Sequence, residues 1–184
     1  LTRVSALLAR GRVVAWLQGA VDFGPRSAGS RSILCDPSNR YTRDNVNGYL
    51  LRRALDHPLP LALTPEAAAE CLESACAAPF TLQEARVRDS FADKLKGVLD
   101  ASRVCPIHIV QRAHAPELVD LLEAYRQRTQ VPGLVHLTLA SGGGPLAGTP
   151  RAAVRTMFSS AIDVLVMGRF LVMKDYWLLR SQVD

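Results

Sequence analysis

The feature that most constrains the fold is an alternation of short apolar runs with helix-like segments along the chain. In the helix-like segments the apolar residues recur every three or four positions. The runs that read as strands are residues 13–18, 31–35, 103–110 and 134–140, and two more apolar runs, IDVLVMG and FLVMKD, follow near the end. Residues 79–97 read as a polar excursion. Because strands that alternate with helices pack as a sheet covered by those helices, the sequence predicts an α/β domain.

Local signals at two prolines mark helix starts. Thr64, Pro65 and Glu66 combine a capping side chain, a proline at the first helical position and an acidic first turn, and Thr149 and Pro150 repeat the first two signals. The spacing of apolar residues predicts further helices over residues 1–10, 45–55 and 116–130.

Length and composition predict a single soluble domain. A chain of 184 residues can bury one sizeable core, and none of its apolar runs approaches the roughly 20 residues of a membrane span. Because the chain begins with Leu1 rather than Met, we expect residues 1–184 to be one domain of a larger protein or a subunit of it. Cysteines without metal-binding spacing predict free core thiols in a reducing cytosol, hence a cytoplasmic protein. They are Cys35, Cys71, Cys76 and Cys105.

The charge pattern favours a small anionic ligand over nucleic acid. The formal net charge is +5, but the basic residues form no long run and only 6% of residues are aromatic. Histidines and cysteines are scattered, so we expect no metal site in this chain. Arginines cluster instead in the first third, where they suit a phosphorylated ligand. They are Arg26, Arg31, Arg40, Arg43, Arg52 and Arg53.

The stretch FGPRSAGSRSILCDP, residues 23–37, has two interpretations. It is a solvated turn with two surface arginines, or it is a cradle for an anion. Arginine binds two phosphate oxygens at once through its planar fork, and glycine lets backbone N–H groups approach the ligand closely. Composition leaves both interpretations open.

Two longer motifs carry a resemblance to a known family. WLQGAVDFGPRSAGSRSILCDP, residues 16–37, resembles the pattern W-x-Q-G-R-x-E-x-G-P-R-A-L-G-x-R-S-I-L-x-D-P that opens the C-terminal domain of O-carbamoyltransferases of antibiotics and nodulation factors. VPGLVHLTLASGGGPLAGTPRAAVRTMFSSAIDVLVMGRFLV, residues 131–172, is in register with that family's V-P-x-L-x-N-T-S-F-N motif and the residues after it. Residues 60–97 have no match.

The resemblance implies a YrdC-like fold, a twisted mixed sheet flanked by helices. It also implies that this domain condenses carbamoyl phosphate with ATP, with Mg²⁺ as counter-ion, into carbamoyl adenylate, and that a separate N-terminal metal-binding domain transfers the carbamoyl group to a hydroxyl. Residues carried over as catalytic are Arg26, Arg31 and Arg53, which we expect to converge on one cleft beside the 142–144 loop. Residues carried over for nucleotide and carbamoyl binding are Gly24, Gly29, Ser32, Thr138 and Gly143.

Several positions depart from the family pattern. The pattern N-x-x-[VI]-K-x-R-E-x-F-R-P reads NGYLLRRALDHP here, so Leu51 replaces the lysine and His57 the second arginine. In N-T-S-F-N the asparagines are His136 and Ala140. The arginine of Q-G-R is Ala20. Two functions therefore remain open: an active carbamoyl-adenylate-forming domain, or a non-catalytic YrdC-like module that binds or scaffolds another subunit. A nucleotide-binding domain of unrelated fold is the third alternative.

Overall fold

The structure is a computed structural model, which describes residues 1–22, 27–74, 82–140 and 144–174. Eight strands are present in these residues: β1 (Val14–Leu17), β2 (Arg31–Cys35), β3 (Leu61–Leu63), β4 (Gln83–Arg86), β5 (Val104–Ile109), β6 (Gly133–Thr138), β7 (Val164–Met167) and β8 (Phe170–Met173). They form one sheet in the order β4-β5-β3-β6-β2-β1-β7-β8.

The sheet is mixed. The β1–β7 and β3–β5 pairs are parallel, whereas β1–β2, β2–β6 and β3–β6 are antiparallel. The central strands β1, β2 and β6 are buried, apart from Thr138 at the end of β6. This burial explains why most of their residues are apolar. The predicted α/β class, with a mixed sheet flanked by helices in a single domain, is confirmed.

The described residues also form six α-helices: α1 (Thr2–Ala9), α2 (Thr42–Asn45), α3 (Pro65–Cys71), α4 (Asp89–Ala92), α5 (Pro116–Thr129) and α6 (Pro150–Phe158). A π-helical turn (Val46–Leu51) continues α2, and a 3₁₀ turn (Asp93–Leu95) continues α4. Helix α1 packs against α5, α5 against β6, and α6 against β1 and β7. Within the described ranges no helix has the length and apolar character needed to cross a membrane.

Both proline-marked helix starts are confirmed. The Thr64 hydroxyl accepts a hydrogen bond from the N–H of Ala67, and the Thr149 hydroxyl accepts one from the N–H of Ala152, each at 3.2 Å. Each bond satisfies a backbone donor that the first helical turn leaves unpaired. The helices α3 and α6 therefore begin at the prolines that the sequence indicates.

Apolar side chains from strands and helices form one core, in which Trp16 is nearly fully buried. Cys35, Cys71 and Cys105 are free buried thiols, as predicted, and burial raises the pKa of Cys35 to about 12. Cys76 lies outside the described residues.

Three parts of the fold differ from the sequence-based prediction, and one of them is strand β3, where no strand was predicted. The helix predicted over residues 45–55 ends at Leu51, because the chain turns at Arg52 in a left-handed conformation. The polar excursion at residues 79–97 contains the edge strand β4 and the short helix α4. Only Ala85 of β4 is buried, so this strand lacks the apolar alternation that would have identified it.

Candidate functional site

A cavity of about 620 Å³ opens beside β6. Ser32 pairs with Thr138 across the β2–β6 ladder, and His136 lies two residues before Thr138, so the three side chains share one face of the sheet. The cavity is lined by Ser27, Leu51, Arg53, His57, Pro58, Pro60, Leu82, Glu84, Pro106, His136, Leu137, Thr138 and Ala140. Seven of these residues are apolar, and the other six carry polar or charged groups.

Arg53 lies in a loop that Asn47 holds in place. The Asn47 side chain accepts a hydrogen bond from Arg53 Nε at 2.8 Å and donates to the carbonyl oxygens of Leu55 and His57 at 2.9 and 2.8 Å. Arg53 Nη2 is buried and has no hydrogen-bond partner in the described part of the chain. Burial lowers the pKa of this guanidinium, but arginine remains protonated in proteins. The cavity wall therefore holds a positive charge with an unused donor.

Thr138 lines the cavity and takes part in a network of hydroxyl groups. Its Oγ1 accepts a hydrogen bond from the main-chain N–H of Ser27 at 3.1 Å. The Ser27 hydroxyl donates to Asp22 Oδ2 at 2.8 Å and lies 2.8 Å from the hydroxyl of Ser32. Ser32 is completely buried and does not line the cavity itself. Of these two predicted binding residues, only Thr138 can therefore contact a ligand in this arrangement.

A pair of buried histidines lies at the cavity, with His136 in its lining and His108 next to it. His136 Nε2 is 2.8 Å from Ser32 Oγ, and its Nδ1 is 3.0 Å from Nδ1 of His108 on β5. The two rings stack with centroids 4.8 Å apart. Burial, and to a lesser degree the neighbouring His108, lowers the pKa of His136 to about 3. His136 is therefore neutral at physiological pH.

The Arg31 side chain binds main-chain carbonyl groups and does not line the cavity. Its guanidinium donates to the carbonyl oxygens of Gln18 (2.8 Å), Gly19 (3.1 Å), Ser30 (2.9 Å) and Gly148 (3.1 Å), with a longer 3.4 Å contact to that of Ala20. Burial lowers the pKa of this guanidinium. Arg31 therefore does not line the cavity that Arg53 lines. Through these hydrogen bonds, Arg31 connects the segment after β1 to the segment before α6.

Gly29 is required by backbone conformation and by packing. Its φ is +129°, and a Cβ at this position would lie 2.7 Å from Cβ of Ala115. The close approach of this segment to the start of α5 explains the glycine without a ligand. Gly24, Arg26 and Gly143 lie outside the described residues, so their predicted contacts remain predictions.

Comparison with known families decides where this chain belongs. A family profile described as "Carbamoyltransferase C-terminus" matches residues 5–174. The chain belongs to this carbamoyltransferase C-terminal family. The resemblance inferred from the two motifs is thereby confirmed.

The curated relatives of this carbamoyltransferase C-terminal domain include nodulation proteins and cephem O-carbamoyltransferases. Nodulation protein NolO of Bradyrhizobium diazoefficiens is 30% identical over 170 residues, which is 91% of this chain and 31% of the relative. A 3'-hydroxymethylcephem-O-carbamoyltransferase of Amycolatopsis lactamdurans is 28% identical over 179 residues, covering 97% of this chain and 33% of the relative. The chain thus spans about a third of the length of each of these relatives.

Solved structures show the same fold at low sequence identity. Sua5 from P. abyssi, in a crystal structure complexed with L-threonine, matches with a TM-score of 0.60 at 13% sequence identity. The match covers 91% of this chain and 46% of the Sua5 chain. E. coli YciO has a TM-score of 0.58 at 10% identity and covers 94% of this chain and 86% of its own. Both likenesses support the YrdC-like fold of this domain.

Four of the positions that depart from the family pattern lie around the same cavity. Leu51, His57, His136 and Ala140 all line the cavity. Leu51 and Ala140 place methyl and methylene groups where the pattern has a lysine and an asparagine, so two hydrogen-bonding groups are absent from the wall.

Several residues of the site were missed by sequence reasoning. Ser27, Glu84 and Pro106 line the cavity, and His108 and Asp22 belong to the network behind it. Asp22 carried a signal, since it stands at an acidic position of the first motif. His108 and Glu84 carried none, because only the pairing of β5 with β3 and β4 brings them to this face.

Metal-ligating side chains do not cluster at this site. In residues 1–22, 27–74, 82–140 and 144–174, no three His, Cys, Asp or Glu side chains are placed to hold a metal ion. Glu84 is the carboxylate among the described lining residues. The described part of the domain therefore offers charge and hydrogen bonds to a ligand rather than a metal cage.

Proposed function

We propose that this domain binds carbamoyl phosphate and ATP in the cavity and forms or holds carbamoyl adenylate for the O-carbamoylation of a natural-product hydroxyl. The observation that carries the proposal is Arg53, whose buried Nη2 has no acceptor among the described residues and whose side chain lines the cavity beside Thr138. Family membership supports the reaction class, and the cephem O-carbamoyltransferase relative supports a hydroxyl acceptor.

The chemistry explains why a fixed positive charge is needed. Water releases phosphate and carbamate from carbamoyl phosphate; a carbamate oxygen then forms a bond to the α-phosphorus of ATP, and the bond to the bridging oxygen breaks as pyrophosphate leaves. Negative charge accumulates on the phosphoryl oxygens during this displacement, so preorganised donors stabilise it. Arg53 and the Thr138 hydroxyl are the donors that we assign to this role. Arg26 and the 142–144 loop remain proposed contributors.

Mg²⁺ enters this proposal only as the counter-ion of ATP. The described lining holds one carboxylate, Glu84, which does not make a metal site by itself. The triphosphate would supply the remaining oxygen ligands, and we derive no step through the ion. We further propose that an N-terminal metal-binding domain or subunit receives the carbamoyl adenylate.

A second candidate is a non-catalytic module that binds ligand or partner without turnover. Leu51 and Ala140 favour it, because each stands in the cavity wall where the family pattern has a hydrogen-bonding side chain. A hydrogen bond to a charged group contributes about 1.5–3 kcal/mol, so two losses would slow the chemical step by about 10²-fold or more.

Ligand titration tests the anchoring role of Arg53. We expect Arg53→Gln to raise the Kd for ATP at least about tenfold, because one charge-assisted hydrogen bond is lost. The matched control is Arg52→Gln, which removes the same charge from the exposed neighbouring residue. An equal rise in the Kd for ATP in both variants would mean that ATP binding depends only on net charge, and the assignment of Arg53 would be wrong.

Pyrophosphate exchange separates the two candidate functions. We expect the triple variant Leu51→Lys, His57→Arg, Ala140→Asn to exchange ATP with pyrophosphate, in the presence of carbamoyl phosphate, at least about tenfold faster than the wild type. Exchange by the wild type as fast as an intact family enzyme would remove the non-catalytic candidate. Failure of both proteins to bind ATP would remove the nucleotide site itself.

A further inference from the structure

A continuous chain of buried hydrogen bonds lies next to the cavity. It links His108, His136, Ser32, Ser27 and Asp22 through contacts of 3.0, 2.8, 2.8 and 2.8 Å. The two histidines and the two serines are each less than a tenth exposed. Neither the sequence motifs nor the proposed reaction explains why these polar side chains are arranged in series.

The carboxylate at one end fixes the direction of every bond in the chain. Asp22 can only accept, so the single hydroxyl hydrogen of Ser27 goes to Asp22. Ser32 must then donate to Ser27, and His136 must donate to Ser32 through Nε2–H. The neutral His136 ring therefore has Nδ1 as an acceptor, and His108 donates to it through Nδ1–H.

Ser27, the member of the chain next to Asp22, also contacts Thr138. Ser27 also accepts hydrogen bonds from the N–H groups of Gly29 and Arg31, so its hydroxyl holds the backbone of this segment in place. The Ser27 N–H donates to Thr138 Oγ1, which occupies that oxygen as an acceptor. In the described residues the Thr138 hydroxyl hydrogen goes to no acceptor, so it is available to a ligand in the cavity.

We propose that His136 is a positioning residue: by donating through Nε2 to Ser32 it fixes Ser27, and Ser27 in turn holds Thr138 as a hydrogen-bond donor toward an anionic ligand. The donor role toward ATP rests on the proposed function, whereas the direction of the chain does not. His136 stands where the family pattern has an asparagine.

The surroundings of His136 keep the ring neutral. His108 faces it from β5, and Asp22 is separated from it by the two serines. Arg53, His57 and Glu84 line the same cavity. Desolvation of the buried ring opposes protonation, which keeps Nδ1 free to accept from His108.

Nitrogen-15 NMR of histidine-labelled full chain tests the direction of the chain. We expect His136 to show a protonated Nε2 and an unprotonated Nδ1, unchanged between about pH 8 and about pH 5. A His136 with its proton on Nδ1, or one that becomes charged in this interval, would overturn the proposal. This measurement uses the wild-type protein and so does not depend on any variant folding.

Amide hydrogen exchange tests whether the chain holds Ser27. We expect Ser32→Ala to increase the exchange rate of the Ser27 amide by about tenfold or more, because the bond that fixes the residue is cut. The matched control is Ser30→Ala, since the Ser30 hydroxyl is buried and has no hydrogen-bond partner in the described residues. Unchanged Ser27 exchange in a folded Ser32→Ala variant would contradict the positioning role.

ATP titration of the same two variants connects the chain to the ligand. We expect Ser32→Ala to raise the Kd for ATP about tenfold and Ser30→Ala to leave it unchanged. A wild type that does not bind ATP would sink the proposed function, while the NMR and exchange results would still decide the direction of the chain. Normal ATP binding by Ser32→Ala would overturn the link between His136 and the ligand.

Discussion

The side chain of Asn47 is bonded directly to that of Arg53: Asn47 Oδ1 accepts a hydrogen bond from Arg53 Nε at 2.8 Å. Asn47 is completely buried and uses its amide hydrogens to bind the carbonyl oxygens of Leu55 and His57. One amide thus fixes both the loop and the guanidinium that it presents to the cavity. The position of the cationic group is set by a residue that does not line the cavity.

Replacement of Asn47 by alanine should therefore destabilise the protein. Three hydrogen bonds are lost from a buried site, and we expect the free energy of unfolding to fall by about 2–4 kcal/mol. Urea denaturation measures the change, and Asn45→Ala at an exposed position two residues earlier is the control. A loss below about 0.5 kcal/mol in Asn47→Ala would show that the loop does not depend on this amide.

Gly29 and Gly11 allow a matched test of packing against backbone conformation. Both have positive φ, but a Cβ on Gly11 would meet no atom within 4 Å, whereas on Gly29 it would lie 2.7 Å from Ala115 Cβ. We expect Gly11→Ala to cost about 1 kcal/mol and Gly29→Ala about 2–4 kcal/mol, measured by urea denaturation. Similar costs would mean that the start of α5 moves to admit the methyl group.

The carbonyl contacts of Arg31 predict that lysine cannot replace it. Lysine offers a compact ammonium instead of a fork of five N–H groups, so several of these carbonyl oxygens would lose their donors. We expect Arg31→Lys to lower the free energy of unfolding by about 2–4 kcal/mol. Thermal and urea denaturation check this, with Arg10→Lys on the exposed end of α1 as control. A fully stable Arg31→Lys protein with weakened ATP binding would instead indicate direct ligand contact.

The neutral state of His136 predicts a specific dependence of stability on pH. Its pKa is lowered to about 3 in the folded chain, and an unfolded histidine has a pKa of about 6.5. Below about pH 6.5 the unfolded state therefore binds a proton that the folded state does not bind, and stability falls as pH falls. We expect this group to reduce the free energy of unfolding by about 1.4 kcal/mol between about pH 7.5 and about pH 5.5.

The variant His136→Gln should lose this component of the pH dependence. Urea denaturation of both proteins at the two pH values gives the difference, so contributions from other titrating groups cancel. The same pH slope in wild type and variant would show that His136 is protonated in the folded chain or is not buried.

The sequence by itself determined the class of fold, the family and most element boundaries. Strands β1 and β2 and helices α5 and α6 were predicted within one or two residues, because buried strands are continuously apolar and the helices begin at prolines. The resemblance to the family also assigned Arg53 and Thr138 to one site, and the structure puts both on the cavity wall.

Only the tertiary structure decided what each site residue contacts. Arg31 and Arg53 have the same side chain, yet one is bonded to backbone carbonyls and the other has a buried donor that no described residue accepts. His108 and His136 are 28 positions apart in the chain. Their side chains meet because a single strand, β3, separates β5 from β6 in the sheet. Local sequence encodes the periodicity and capping that form an element, whereas the partners of a polar side chain depend on which distant elements pack beside it.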